Sequence, residues 1–181
     1  NQKAGVIETD DNISNTIKNA NTAFGYLTLN SNTTGHENSA NGNWALTSNT
    51  TGSYNNAYGF GALTNNTTGD ENNAFGWGAL KNNTGYGNSA FGESSLYFNT
   101  TGNYNVANGY QSLQNNTTGN YNVAHGSMAL RNNTFGSYNV AIGYESLRFN
   151  TSGIDNVASG DHALYSNTTV SVNVANGKKS L

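Results

Sequence analysis

Cysteine is absent from the 181 residues, so neither disulfides nor thiolate metal sites contribute to this fold. Charge is scarce as well. Asp, Glu, Lys and Arg make up 9% of the chain, the seven Lys and Arg are scattered, and the net charge is −3. Without a basic patch there is no electrostatic footprint for nucleic acid, which is excluded as a partner. No apolar run approaches the length that crosses a bilayer, so no membrane insertion is expected. Only 34% of residues are hydrophobic, a level that would suggest disorder in a non-repetitive chain.

What overrides that suggestion is a 17-residue repeat, N-x-A-x-G-x-x-[A/S]-L-x-x-N-T-T-G, written ten times between Asn21 and Leu181. Its glycines stand at 25, 42, 59, 76, 92, 109, 126, 143, 160 and 177, with one residue missing from the turn Lys81–Gly85. An asparagine four residues before each glycine and an alanine two before never vary. A leucine follows four after, and an Asn-Thr pair begins three beyond that. Disordered low-complexity sequence has no need of a leucine at fixed spacing.

Asn, Gly, Thr and Ser disfavour helix interiors, so the repeat reads as a β unit. Seventeen residues hold two strands of about five residues and two turns, making one coil of a parallel β-solenoid stacked at about 4.8 Å on the next. The expected fold is all-β, with ten such coils forming a rod about 45 Å long. Invariant Ala and Gly permit close backbone approach, and leucine fills the interior. Alternation around Tyr104–Leu113 separates an aromatic or β-branched face from a small apolar one. Sequence alone leaves open which of the two is inside. The Gly35 to Gly153 column is the expected site of a positive-φ turn.

Two asparagine columns are expected to form side-chain ladders along the rod. One contains Asn38, Asn55, Asn72, Asn88, Asn105, Asn122, Asn139 and Asn156. The other contains Asn49, Asn66, Asn83, Asn99, Asn116, Asn133, Asn150 and Asn167. Most of the second column also begins N-T-T or N-T-S, an N-glycosylation sequon. Asn83 and Asn133 keep the column without the sequon, which favours the ladder. Thr34, Thr51, Thr68, Thr101, Thr118 and Thr169 form an outer column open to O-glycosylation.

Residues 1–20 keep a trace of the repeat, with Val6 and Asn15-Thr16 in phase with Ala23 and Asn32-Thr33, and read as a degenerate N-terminal cap coil. Residues 21–181 are the repeat domain. At Leu181 the repeat stops in mid-coil. Either a longer protein continues there, or the last coil of one chain seats on the first of another to give a head-to-tail polymer.

A catalytic or metal site is needed once and should appear as a departure from the repeat. Departures are few. His36, His125 and His162 occupy three different repeat positions and read as surface histidines, while Asp155, Asp161 and His162 are near enough to approach one another. Neither a calcium-binding nonapeptide nor a phosphate-binding glycine loop is present. No enzyme activity, metal or cofactor is expected. Aromatics after the repeat glycine, Tyr26, Phe60, Trp77, Tyr110 and Tyr144, form a column suited to strand packing or to stacking on sugar rings, which Trp44 interrupts.

The repeat resembles those of bacterial surface and phage tail-fibre-like proteins. More distantly, it is similar to the heads of YadA-like trimeric autotransporter adhesins, whose N-[S/A]-V-A-I-G motif is matched by Asn139-Val140-Ala141-Ile142-Gly143. That resemblance implies a left-handed β-roll, trimeric, used as an extracellular fibre or adhesive head. The expected function is a structural subunit of an extracellular or cell-surface fibre, a homo-oligomer assembled by coil stacking. An adhesin or carbohydrate-binding module recognising surface glycans is the alternative. Ice binding by threonine columns is a third; adjacent Thr residues should face opposite sides of a strand, leaving one column outward.

Overall fold

The computed structural model describes Ala20 to Leu181 and the backbone of Val6–Glu8. Among the described residues eleven strands lie in one sheet in chain order. They are β1 Val6–Glu8, β2 Asn21–Phe24, β3 Ser39–Asn41, β4 Asn56–Tyr58, β5 Asn73–Phe75, β6 Ser89–Phe91, β7 Val106–Asn108, β8 Val123–His125, β9 Val140–Ile142, β10 Val157–Ser159 and β11 Val174–Asn176. From β2 to β11 every pairing is parallel, with the repeat alanines in register: Ala23 on Ala40, Ala107 on Ala124, Ala158 on Ala175. The chain is a parallel β-solenoid of about nine turns. Coil one begins at Asn21 and coil ten at Asn173.

Each coil contains one strand of three or four residues, not the two five-residue strands expected. The reason lies in the leucine column. Leu46, Leu63, Leu80, Leu96, Leu113, Leu130 and Leu147 all have φ near +50°, and the residue two before each leucine is also left-handed. No extended strand contains such residues. The second leg is instead a tight turn whose N–H groups still reach the next coil, as in Leu29 N–H to Ala45 O at 3.0 Å and Ser31 N–H to Thr47 O at 3.1 Å. A left-handed leucine costs about 1–2 kcal/mol, while full burial of its side chain contributes about 1.5–3 kcal/mol. Burial therefore carries the conformation, and these leucines are fully buried.

The alternation resolves with Ala and Leu inside and the aromatic and β-branched residues outside. Ala40, Ala57, Ala74, Ala107 and the leucines form one apolar core. The missing residue between Gly76 and Gly92 is absorbed entirely in the turn. Asn83 Nδ2 donates to Gly85 O two residues on, at 2.8 Å, where other coils span three, and Ala74 still pairs with Ala90.

One expectation about glycine is corrected. The Gly35 to Gly153 column does not carry positive φ; the repeat glycines do, for example Gly109 at +138°. The second column is glycine because of space: a Cβ on Gly52 would sit 2.5 Å from both Asn49 Oδ1 and Gly69 O. At the N-terminal end, β1 pairs with β2 antiparallel, Val6 opposite Ala23, whereas a further coil of the array would run parallel. It occupies the edge of β2 on which another chain's last strand would stack. The rest of the expected cap coil, including Asn15 and Thr16, lies outside the described residues.

Candidate functional site

Asparagines make up most of the polar half of the interior. Asn122 is typical of the first column: its Nδ2 donates to Gly136 O at 2.9 Å and Asn105 Oδ1 at 3.1 Å, and its Oδ1 accepts from Asn139 N–H at 3.0 Å. In the second column Asn116 Nδ2 donates to Asn99 Oδ1 at 2.7 Å and Gly119 O at 3.0 Å, while its Oδ1 accepts from Asn133 Nδ2 at 2.9 Å. Each second-column glycine carbonyl accepts from both ladders at once. Gly119 O, for example, is also reached by Asn105 Nδ2 at 2.8 Å. That shared acceptor ties the two columns into one network and explains why both are invariant. Asn38, Asn55, Asn72, Asn88, Asn105, Asn122 and Asn139, with Asn49, Asn66, Asn83, Asn99, Asn116, Asn133 and Asn150, are buried. A glycan on these amides is incompatible with the fold.

Threonine columns lie at the surface, and both of them do, contrary to the expected opposite facing. Thr33 and Thr34 are both exposed because the N-T-T-G segment is a corner, not a strand. The first Thr turns its hydroxyl onto the next coil: Thr100 Oγ1 donates to Thr117 O at 2.8 Å and Thr117 Oγ1 to Thr134 O at 2.9 Å. Thr34, Thr51, Thr68, Thr101, Thr118 and Thr169 are exposed.

The aromatic column divides. Tyr26, Tyr110 and Tyr144 are each separated from the next by a polar residue, Asn43, Glu93, Ser127 or Asp161. Phe60 and Trp77 meet, with ring centroids 6.3 Å apart and planes 2° from parallel. Trp44 extends this pair instead of interrupting it, lying 5.1 Å from Phe60, and Tyr97 continues it 6.3 Å beyond Trp77. Two further stacks are present; the sequence points to the second, a column five residues before the repeat glycine, but not to the first. Tyr58, Phe75 and Phe91 stack at 4.9 and 5.1 Å, and Tyr104, Tyr121 and Tyr138 at 5.2 Å each. For the first, the available signal was three successive aromatics immediately before the repeat glycine.

One charged cluster departs from the repeat. His162 does not join Asp155; its Nε2 lies 3.1 Å from Glu145 Oε2 and its Nδ1 contacts Asp161. Glu145 also pairs with Arg148. Burial pushes the Glu145 carboxyl up, but hydrogen bonds from Arg148 and Tyr144 outweigh it and hold the group below the ordinary carboxylate range. The hydrogen bond to His162 lowers Asp161. The cluster joins coils eight and nine by ion pairing. Among the described residues no group of three or more His, Asp or Glu side chains is arranged to hold a metal ion, and no helix is long and apolar enough to cross a membrane. Compared with family models, curated proteins and solved structures, the chain matches none.

Proposed function

We propose that this chain is the rod of a structural fibre at a cell or particle surface, a self-associating scaffold and not an enzyme. The observation that supports it is the unbroken run of identical backbone and amide hydrogen bonds from coil to coil. Such a rod resists local opening, because each coil is held on both sides. Low charge, abundant hydroxyl and amide groups, and the absence of cysteine suit an extracellular scaffold that depends on neither redox state nor cofactor.

Self-association follows from the outward sheet face. Val123 and Ile142, on the neighbouring strands β8 and β9, are exposed on it, and the stacked Tyr121 and Tyr138 are exposed beside them, apolar surface of the kind that marks interaction sites. Head-to-tail stacking on β2 would have to displace β1. Lateral association, threefold or otherwise, needs no such displacement and is the form we favour. Sedimentation and negative-stain imaging of the purified chain test this. Bundled rods whose mass is a multiple of one chain are expected, dissociating on Val123→Lys. Single-chain particles at every concentration would overturn it.

A further inference from the structure

We propose that the aromatic staircase on coils two to five is a binding site for a β-1,4-linked gluco-configured polysaccharide. The sugar chain would lie along the rod with one pyranose ring per coil. Trp44, Phe60, Trp77 and Tyr97 come from four successive coils, and no other aromatic run on the rod has the same construction. The Tyr58–Phe75–Phe91 and Tyr104–Tyr121–Tyr138 stacks are tight, at 4.9–5.2 Å between centroids. Here Phe60, Trp77 and Tyr97 stay near-parallel, 2° and 17° between planes, but lie 6.3 Å apart, and Trp44 heads the run 5.1 Å from Phe60 with its ring tilted by 57°. Wider spacing leaves part of each ring uncovered by its neighbour and free to receive another apolar face.

Beneath the rings the repeat is broken in a way that makes room. Two residues after the repeat glycine, other coils carry Leu27, Trp44, Ser94, Gln111, Met128, Glu145, His162 or Lys179, whereas coils three and four carry Gly61 and Gly78. The backbone does not require glycine at that position, since Gln111 and Met128 adopt the same left-handed conformation at φ +54° and +57°. What glycine supplies is the missing side chain. A Cβ on Gly61 would meet only the Thr64 hydroxyl, at 3.3 Å, and one on Gly78 would strike the Tyr97 ring at 2.9 Å. The result is a cleft of about 130 Å³ walled by Trp44, Phe60 and Trp77. It is much smaller than the several hundred Å³ of an enclosed ligand site, and suits a ring edge entering from a chain laid over the surface.

Hydrogen-bonding groups at the cleft match a polyhydroxyl ligand. Thr64 Oγ1 donates to Gly61 O at 2.7 Å and keeps lone pairs to accept from a hydroxyl. Lys81 Nζ donates to Tyr97 OH at 3.1 Å and has two further protons to offer. A gluco-configured pyranose has equatorial hydroxyls around its rim and C–H groups on both faces, so its faces pack on aromatic rings while its rim takes these partners. Periodicity agrees: coils repeat at about 4.8 Å, and an extended β-1,4-linked chain advances by about 5 Å per ring.

Trp44 and Trp77 are the two tryptophans of the chain, so selectively excited tryptophan emission reports on this cleft alone. The full chain is titrated with cellohexaose and with chitohexaose, which differ only in the substituent at C2. A saturable change in tryptophan emission with at least one of them is expected. Gly61→Gln, which installs the side chain that coil six tolerates, should weaken binding by about tenfold or more while the chain keeps its folded circular dichroism spectrum, with only the modest drop in thermal midpoint that a left-handed non-glycine residue brings. Phe60→Ala should weaken it comparably, and Tyr110→Ala, at the same repeat position outside the cleft, should leave it unchanged. No saturable change with either oligosaccharide, wild-type affinity in Gly61→Gln, or an equal loss in Tyr110→Ala would overturn the proposal.

Discussion

Replacing Asn116 by alanine removes three hydrogen bonds from the centre of the amide network, and the structure shows which of the partners suffer. Gly119 O keeps its bond from Asn105 Nδ2, and Asn133 Nδ2 keeps its bond to Gly136 O. Left without partners are Asn99 Oδ1, which accepted from Asn116, and the second N–H of Asn133. The site is fully buried, and each unsatisfied buried group costs about 1–3 kcal/mol. The loss is therefore about 2–6 kcal/mol. A midway value of about 4 kcal/mol lowers the thermal midpoint by roughly 8–16 °C for a chain of this size. Asn115→Ala is the control, because that partly exposed amide bonds only Asn132 on the surface and its loss should cost about 0.5 kcal/mol or less. Asn116→Asp refines the test. It preserves shape but turns a carboxylate oxygen onto Asn99 Oδ1 and Gly119 O, and burial raises its pKa in the folded state. Relative stability should then be highest at low pH and fall as pH rises through that raised value. Thermal unfolding followed by circular dichroism measures all three variants. If Asn116→Ala and Asn115→Ala melt together, the network does not hold the coils.

Further outcomes follow from the other columns. Gly109→Ala forces a Cβ to 2.6 Å from Gly126 C and O at φ +138°, whereas Gly177→Ala meets nothing within 4 Å at φ +120°. Backbone strain alone, about 1–3 kcal/mol, is expected at Gly177, and a clearly larger loss at Gly109; equal denaturation midpoints would contradict the close-approach explanation. Because Glu145 is held below its usual value of 4.5, its contribution is complete above that pH and is lost as pH falls through the folded-state value. Glu145→Gln should therefore flatten the acid limb of the stability curve, and an unchanged limb would show that the Arg148 and His162 pairings contribute nothing. Osmometry should detect no thermal hysteresis, since Thr100, Thr117 and their column donate their hydroxyls to the next coil; measurable hysteresis would reopen the ice-binding reading.

The path of the chain was legible in its sequence because each coil repeats the same demand. An alanine that must pair with the alanine above, and an asparagine that must bond the asparagine above, leave invariant marks at the repeat period. Departures from extended geometry left no such mark. Leucine is a poor left-handed residue, so nothing in its identity announces φ near +50° at Leu113; the conformation is imposed by burial in a narrow coil. Likewise, glycine at position 52 looks like a turn residue and is in fact a spacer beside Asn49 Oδ1. Trp44 is one position out of phase with Phe60 in the repeat, yet the turn's curvature brings the rings to 5.1 Å. Linear phase describes coil-to-coil columns well and describes contacts around a corner poorly.

Because cysteine is absent, spin labels can be placed at will, and two pairs on the exposed Thr column measure the stacking itself. Thr34 and Thr169 lie eight coils apart and Thr51 and Thr118 four apart. With each position changed to cysteine and labelled, pulsed dipolar spectroscopy should give distances of about 38 Å and about 19 Å, in a ratio near two. Narrow distributions at those values are what a rod of flat, hydrogen-bonded coils predicts. Distances that do not scale with the number of intervening coils, or that spread over tens of ångströms, would contradict it.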